Sequence, residues 1–170
     1  MKKIITFLTA LILMATSVSA QLEKASTEKT VFHRTTTVSI EIKADSSIAW
    51  ALLTKASDYP RWNTTVTSIE GNIAPGETIK LKSTLDAKRT FKLKIKEFVP
   101  DRKLVWGDGQ GNRVYTITPN GNGILTFTMT EKIGGVMFPM YAKMIPSFDQ
   151  SFEQFASDLK KEAEKIMNTK

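Results

Sequence analysis

The sequence predicts an α+β fold, in which a curved antiparallel sheet wraps around one long C-terminal helix and short helices follow the first strand. Three observations lead to this prediction. A short helical stretch with Trp50 follows the first strand-like run, further strand-like runs joined by short turns come next, and an amphipathic stretch from Ser147 ends the chain. Strands joined by hairpins form one sheet, and the helix must bury its apolar stripe against that sheet. The side chains between the two are nearly all apolar, which predicts a hydrophobic cavity.

The first strand is predicted over residues 34–42, and a helix of two to three turns follows it. The run Asp45-Ser46-Ser47 offers side-chain oxygens that can accept hydrogen bonds from the first amides of this helix. The run Asp58-Tyr59-Pro60 ends it, because the residue before a proline is pushed out of the helical region. A short turn or helix with Trp62 comes next.

Six further strands are predicted, which gives seven in all. Apolar and polar residues alternate in the runs 78–82, 90–96 and 125–130, and Pro, Gly, Asn or Asp residues mark the turns between the strands. Gly and Asn in the last turn, 119–123, permit the positive φ angles that tight hairpins require. The predicted strands are 66–72, 78–82, 91–99, 104–106, 113–118 and 124–133.

The terminal helix is predicted to begin at Ser147, which has the capping-box spacing to Gln150. Its apolar positions recur at intervals of three, four and seven residues, which places them on one stripe. They are Phe148, Phe152, Phe155, Leu159 and Ile166. The preceding segment, 136–145, carries three flexible methionines, and two interpretations fit it equally: a lid or adaptable cavity wall, and ordinary core packing.

The N-terminus has the composition of a secretory signal peptide over residues 1–20. Lys2 and Lys3 precede an apolar run, and the segment ends in the small residues Val18-Ser19-Ala20. An uncleaved anchor is the alternative, although the apolar run is short for a bilayer span. We therefore expect export to the periplasm or the extracellular space. Residues 21–33 are predicted to be a flexible arm, and 34–168 a single domain without a transmembrane segment.

Composition excludes several kinds of chemistry. The chain has no cysteine and one histidine, His33, so thiol catalysis, thiolate metal sites and multi-histidine metal sites cannot be built. His33 precedes the first strand and is expected to have an ordinary surface or packing role. No metal and no cofactor are predicted.

The net charge is +7, or a mild +5 without Lys2 and Lys3, and five of the lysines fall on one predicted surface. In the runs 78–82 and 90–96 lysines alternate with apolar residues, so pairing of the two strands would place all the lysines on the outer face. This basic face consists of Lys80, Lys82, Lys92, Lys94 and Lys96. It is interpreted either as a solvated surface or as a contact with an anionic envelope surface. Nucleic acid is not expected, because exposed aromatic residues are not interleaved with the lysines.

From about residue 36 to 164 the chain resembles the START-like (SRPBCC) superfamily, nearest its polyketide cyclase/dehydrase and lipid-transport type. The residues that carry this resemblance are the strand 38–42 leading into 44–50, the run 58–63, Gly71, Gly76, the run 100–106, Gly123 and the helix end 159–164. The resemblance implies the helix-grip fold, a seven-stranded sheet around a long helix over a hydrophobic cavity. The superfamily has no common catalytic set, so only the cavity is carried over.

The expected cavity lining is aromatic and sulfur-rich. It consists of Trp62, Phe91, Trp106, Phe127, Met129, Phe138, Tyr141, Met144, Phe148, Phe152 and Phe155. Binding or carriage of a small hydrophobic ligand, such as a lipid, quinone or polyketide-like molecule, is the function that this lining favours. A cyclase/dehydratase-like enzyme is the first alternative, with Glu131 and Tyr115 as weak catalytic candidates. A non-catalytic envelope interaction module that uses the basic face is the second.

Overall fold

The computed structural model describes residues 24–169, so the predicted signal peptide at 1–20 lies outside the described residues. Eight strands form one antiparallel sheet, in the order β1-β2-β8-β7-β6-β5-β4-β3. They are β1 (Ser26–Lys29), β2 (His33–Ile42), β3 (Val66–Glu70), β4 (Thr78–Ser83), β5 (Asp86–Val99), β6 (Lys103–Gly107), β7 (Gly111–Gly121) and β8 (Ile124–Gly134). From β3 to β8 each strand pairs with the next one in sequence, and β2 pairs with β8.

The helices lie in two places along the chain. Between β2 and β3 are α1 (Ser46–Thr54), a 3-10 turn (Ala56–Asp58) and α2 (Tyr59–Trp62). After β8 come α3 (Phe138–Tyr141), a second 3-10 turn (Ala142–Met144) and the long α4 (Asp149–Met167). Within residues 24–169 no helix combines the length and the apolar character needed to cross a bilayer.

The sheet and α4 form the predicted arrangement, with one strand more than expected. The additional strand is β1, which lies in the segment 21–33 that was predicted to be a flexible arm. Side-chain hydrogen bonds attach β1 to the rest of the domain. The Thr27 and Thr36 hydroxyls are 2.8 Å apart, and Thr27 also donates to the Asp149 carboxylate. The Ala25 amide donates to Glu153 at 2.9 Å. The side chains that make these hydrogen bonds are polar, so the segment has no repeating apolar pattern from which the strand could have been predicted.

Helix α4 begins two residues later than predicted, and the capping box between Ser147 and Gln150 is wrong. The Ser147 hydroxyl instead donates to Asp149 at 2.8 Å, and it accepts a long bond of 3.4 Å from the Asp149 amide. The apolar stripe is confirmed, because the buried positions of α4 include Phe152, Phe155 and Leu159. At the far end of the sheet, Asn122 and Gly123 have φ angles of 53° and 68°, as the predicted hairpin turn requires.

Candidate functional site

An aromatic cluster fills the middle of the space between the sheet and α4. Trp106 and Tyr115 stack edge to face with ring centroids 4.9 Å apart, and Phe155 lies 5.6 Å from both Tyr115 and Trp62. Phe127 completes the cluster from β8. Five residues expected to line the cavity therefore belong to the packed interior and do not line it: Trp62, Phe127, Met129, Phe152 and Phe155.

The cavity lies beside this cluster, toward one end of the sheet. Its volume is about 170 Å³, and it is bounded by the β4–β5 hairpin, the loop between β6 and β7, and the segment 144–148 that leads into α4. Its apolar wall consists of Val66, Leu81, Leu85, Phe91, Leu93, Trp106, Ile133, Met144, Ile145 and Phe148. Four of the expected lining residues are among them: Phe91, Trp106, Met144 and Phe148.

One ion pair stands in this apolar wall. Arg113 on β7 and Glu131 on β8 are directly opposite each other, and their side chains form an ion pair while each remains 16% exposed. The Arg113 guanidinium also lies 5.0 Å from the centre of the Phe152 ring. Burial acts to lower the pKa of Arg113, but the neighbouring Glu131 carboxylate and Tyr115 hydroxyl together outweigh burial and raise that pKa above its ordinary value. The pair therefore presents a fixed charge distribution to the cavity.

Tyr115, the other weak catalytic candidate, lies behind this wall. Its side chain is fully buried, and its hydroxyl has no hydrogen-bond partner of normal geometry among the described residues. Burial raises the pKa of Tyr115, while the nearby Arg113 guanidinium acts in the opposite direction. Glu131 thus borders the cavity and Tyr115 does not.

The mouth of the cavity is formed by two chain segments that sequence reasoning treated separately. Arg89, near the start of β5, lies over the Phe91 ring at 4.7 Å, and Met144 on the opposite side is 81% exposed. Phe138 and Tyr141 pack together behind Met144 with ring centroids 5.6 Å apart, outside the cavity lining. The segment 136–145 thus contributes two residues, Met144 and Ile145, to the cavity wall. Its Phe138 and Tyr141 pack against each other away from the cavity.

Arg34 attaches this segment to the sheet. It is 7% exposed, and its guanidinium donates to the Pro146 carbonyl oxygen at 2.7 Å and to the Ile145 carbonyl oxygen at 3.3 Å. It also lies 4.6 Å from the centre of the Phe148 ring. Burial lowers the pKa of Arg34, and Asp149 and Glu131 act in the opposite direction.

Sequence reasoning missed both arginines, the buried Arg34 and the half-buried Arg113. For Arg113 a signal was present, because it lies two residues before Tyr115 and four before Ile117 on the inward side of an alternating strand. Neither arginine offers an atom that binds a metal ion, because the guanidinium group is only a hydrogen-bond donor. Across the described part of the chain, no group of three or more His, Asp and Glu side chains is placed to hold a metal ion.

The basic face has the predicted geometry. Strands β4 and β5 pair with Lys80 opposite Lys92 and Thr78 opposite Lys94. All five lysines are exposed. Two of them have partners, since Lys80 lies 3.6 Å from Glu70 and Lys96 donates to the Asp108 carbonyl oxygen at 2.9 Å.

A single sheet curved around a long terminal helix, with a cavity between them, defines the helix-grip class of the START-like superfamily. The sequence model of the family "Polyketide cyclase / dehydrase and lipid transport" matches residues 33–164. The chain therefore belongs to this family. Among curated protein sequences no significant match is found.

Solved structures share the fold at low sequence identity. A START superfamily protein from Mycobacterium smegmatis is 13% identical with a TM-score of 0.57, over 78% of this chain and 98% of that one. A norcoclaurine synthase from Thalictrum flavum, solved with a transition-state analogue, is 12% identical with a TM-score of 0.60, over 83% and 98%. A protein of unknown function from Enterococcus faecalis is 11% identical with a TM-score of 0.60, over 81% and 75%. At such identities the likeness concerns the fold alone.

Proposed function

We propose that this domain binds a small hydrophobic ligand in the cavity beside Trp106. The observation that carries the proposal is the composition of the cavity, a mainly apolar wall that also carries polar side chains, among them the ion pair of Arg113 and Glu131. Ligand sites in proteins typically combine a mainly apolar surface with a few polar groups that fix orientation. Membership of a cyclase and lipid-transport family supports the same proposal.

The volume of the cavity limits the size of the ligand that can bind without movement of the cavity wall. Ligand pockets usually enclose roughly 300–1,000 Å³, and a cavity of roughly 150 Å³ can hold benzene. The observed 170 Å³ therefore accommodates a ring or a short branched chain. A longer ligand requires Met144 and Ile145 to move outward, which is feasible because Met144 is exposed and flexible.

The charged pair indicates a ligand with a polar end. Arg113 retains guanidinium N–H groups beyond those that it donates to Glu131. A carbonyl, hydroxyl or carboxylate oxygen at the end of an apolar body would be able to accept from them. The proposed ligand is accordingly an amphiphile, such as a quinone, fatty acid or polyketide-like molecule.

A cyclase- or dehydratase-like enzyme remains the second candidate, because the Glu131 carboxylate borders the cavity where a reacting group would lie. Its engagement by Arg113, and the burial of the Tyr115 hydroxyl away from the cavity, favour binding over proton transfer. Replacement of Glu131 by Gln separates the two functions. An enzyme would lose turnover while it retained ligand, whereas a carrier would change only in affinity.

Export is a further part of this proposal, and the basic face supports a separate, third candidate. Residues 1–20 have signal-peptide composition, so we place the domain in the periplasm or outside the cell. The third candidate, an interaction module, would use the exposed lysines of β4 and β5 on an anionic envelope surface. Binding of that kind would weaken as salt concentration rises.

Native mass spectrometry tests the central proposal. Residues 21–170 would be purified from an exporting host, and bound molecules would be extracted into organic solvent and identified. Leu93→Trp adds bulk to the cavity wall, and Val99→Trp on the same strand is its control, because Val99 is 42% exposed and outside the cavity. We expect a bound hydrophobic molecule in the wild type and in Val99→Trp, and its loss in Leu93→Trp. A ligand-free mass that persists after incubation with mixed lipids and quinones would contradict the proposal.

A further inference from the structure

The exposed apolar side chains are concentrated at one end of the molecule. Within residues 24–169, six of the seven large apolar side chains that are exposed belong to two short segments, 31–32 and 136–144. The six form what we call the apolar rim: Val31, Phe32, Val136, Met137, Met140 and Met144. Their exposed fractions range from 55% for Phe32 to 85% for Val136.

The two segments are held side by side. The Gly135 amide donates to the Phe32 carbonyl oxygen at 2.9 Å, and a Cβ atom on Gly134 would lie 2.4 Å from that same oxygen. Only glycine therefore permits this approach. Because Met144 also lines the cavity, the apolar rim extends to the cavity mouth.

Local packing fixes the outward direction of the methionines. Phe138 is 4% exposed and packs against Tyr141, whose hydroxyl lies 3.5 Å from the Gly134 carbonyl oxygen. These aromatic residues occupy the inward side of α3, so Met137 and Met140 are left in solvent at 58% and 74% exposure. A contiguous exposed apolar surface of this kind marks an interaction site, since isolated exposed residues are more usual.

Basic residues surround the rim. Lys29, Lys132 and Lys143 are exposed, and no carboxylate of the described residues forms an ion pair with them. Glu28 on β1 also stays exposed and offsets part of this charge.

The other acidic groups nearby are engaged within the protein. Asp149 accepts from Thr27 and Ser147, and Glu131 pairs with Arg113. Asp108 accepts from the Gln110 amide at 2.7 Å and from the Gly111 amide at 3.1 Å. The solvent side of the rim thus combines apolar side chains with free ammonium groups.

We propose that the apolar rim docks on an anionic lipid surface, with its methionines, valines and Phe32 in the headgroup region and Lys132 and Lys143 at the lipid phosphates. Apolar side chains flanked by lysines bind such interfaces through area burial and attraction to anionic lipids. Docking there would present the cavity mouth at Met144 to the membrane. The proposal extends the proposed function by naming a membrane as the ligand's source, but docking does not require that the cavity be occupied.

Vesicle co-sedimentation tests the proposal. The protein, residues 21–170, would be mixed with phosphatidylcholine vesicles with or without phosphatidylglycerol. We expect binding that is stronger on the phosphatidylglycerol vesicles and is weakened by salt. The triple variant Val136→Ser, Met137→Ser, Met140→Ser should bind at least about tenfold less, since each substitution removes an apolar side chain from the interface. Reversal of charge at Lys132 and Lys143 should cost about fivefold or more per lysine on phosphatidylglycerol vesicles only.

Two matched controls define the surface. Val99→Ser removes the seventh exposed apolar side chain, and Lys80→Glu with Lys92→Glu reverses charge on the basic face. Both should bind vesicles like the wild type. The proposal is overturned if the wild type does not sediment, if the rim variants sediment as well as the wild type, or if only the basic-face variant loses binding. Self-association of the wild type through the rim, with loss of the dimer in the triple variant and no vesicle binding, would also overturn it.

The docking result is separable from the ligand result. The triple variant leaves Met144 and the rest of the cavity wall unchanged, so it should still carry ligand in native mass spectrometry. Conversely, Leu93→Trp should lose ligand and still bind vesicles. The two experiments can therefore disprove ligand binding and membrane docking independently of each other.

Discussion

Arg113 and Glu131 face each other across β7 and β8, and their ion pair is the charged feature in an otherwise mainly apolar part of the cavity wall. Neither side chain is free to turn toward bulk water, because each is only 16% exposed and Arg113 lies against the Phe152 ring. The pair therefore affects both the stability of the domain and the kind of ligand that it can accept.

Removing one partner should destabilise the fold more than removing both. Glu131→Leu leaves the Arg113 charge without its carboxylate, and we expect the free energy of unfolding to fall by about 1–3 kcal/mol, below the range for fully buried pairs because both groups retain some solvent. The double variant Arg113→Met, Glu131→Leu should recover much of that loss. Urea denaturation of the wild type, Arg113→Met, Glu131→Leu and the double variant measures this in a double-mutant cycle, and strictly additive effects would contradict a coupled pair.

The same double variant should change ligand preference. Without the guanidinium, the wall between β7 and β8 loses its charged donor to a polar ligand end, while Arg89 and Gln110 still border the cavity. We expect the affinity ratio between a long-chain acid or alcohol and the corresponding hydrocarbon to fall by about tenfold, the effect of roughly one hydrogen bond to a charged group. Competition binding against a fluorescent apolar probe measures the ratio. An unchanged ratio would show that the pair does not contact the ligand.

Arg34 should control the segment at the cavity mouth. Arg34→Met removes donors from the Ile145 and Pro146 carbonyl oxygens, and leaving such groups unpaired costs about 1–3 kcal/mol. We expect lower stability and faster hydrogen exchange in residues 142–149. Arg102→Met is the control, since Arg102 is exposed in the turn between β5 and β6. Equal exchange rates in the two variants would argue against this attachment.

The two buried tyrosines should respond differently to loss of the hydroxyl. Tyr59 donates to the Leu53 carbonyl oxygen at 2.8 Å, whereas the Tyr115 hydroxyl has no hydrogen-bond partner of normal geometry among the described residues. We expect Tyr59→Phe to cost about 1–2 kcal/mol at neutral pH and Tyr115→Phe to be neutral or slightly stabilising. Thermal unfolding at pH 7 measures the difference. A larger loss for Tyr115→Phe would indicate a hydrogen bond at that hydroxyl.

The free energy of unfolding should fall at alkaline pH because the pKa values of the same two tyrosines are raised in the folded state. Burial raises the pKa of both tyrosines above the ordinary value near 10. Below pH 10 both folded and unfolded states hold the phenolic protons, so this stability is fully present. Above pH 10 the unfolded state loses them first, and stability should fall by up to about 1.4 kcal/mol per pH unit per tyrosine. Tyr115→Phe should make that decline shallower between pH 9 and 11, and an identical slope would contradict the raised pKa.

Much of the fold could be predicted because apolar periodicity and turn residues carry it. The alternating lysines of β4 and β5 predicted which face is exposed once the two strands pair, and the spacing in α4 predicted its buried stripe. Strand β1 could not be predicted in this way. Its attachment depends on hydroxyl and carboxylate bonds from Thr27 to residues 9 and 122 positions away, which leave no local pattern.

The cavity was harder to predict than the fold. Periodicity shows that Phe127 and Phe155 point inward, but only packing shows that their rings fill the space between sheet and helix. The space that remains is beside them, where Phe91, Trp106, Met144 and Phe148 meet segments distant in sequence. Which of the inward residues line the cavity depends on how all the side chains pack together, and periodicity in the sequence does not show this.

The most direct test of ligand binding uses the three tryptophans of the chain. Trp106 lines the cavity, whereas Trp50 packs against Phe98 at 4.8 Å and Trp62 lies in the aromatic cluster. With 5-fluorotryptophan incorporated, the ¹⁹F spectrum would be recorded before and after organic extraction, and again after hydrophobic ligand is restored. The cavity account predicts that the Trp106 resonance, assigned by Trp106→Phe, shifts reversibly while the Trp50 resonance stays in place. An unchanged Trp106 resonance despite measured ligand binding would contradict it.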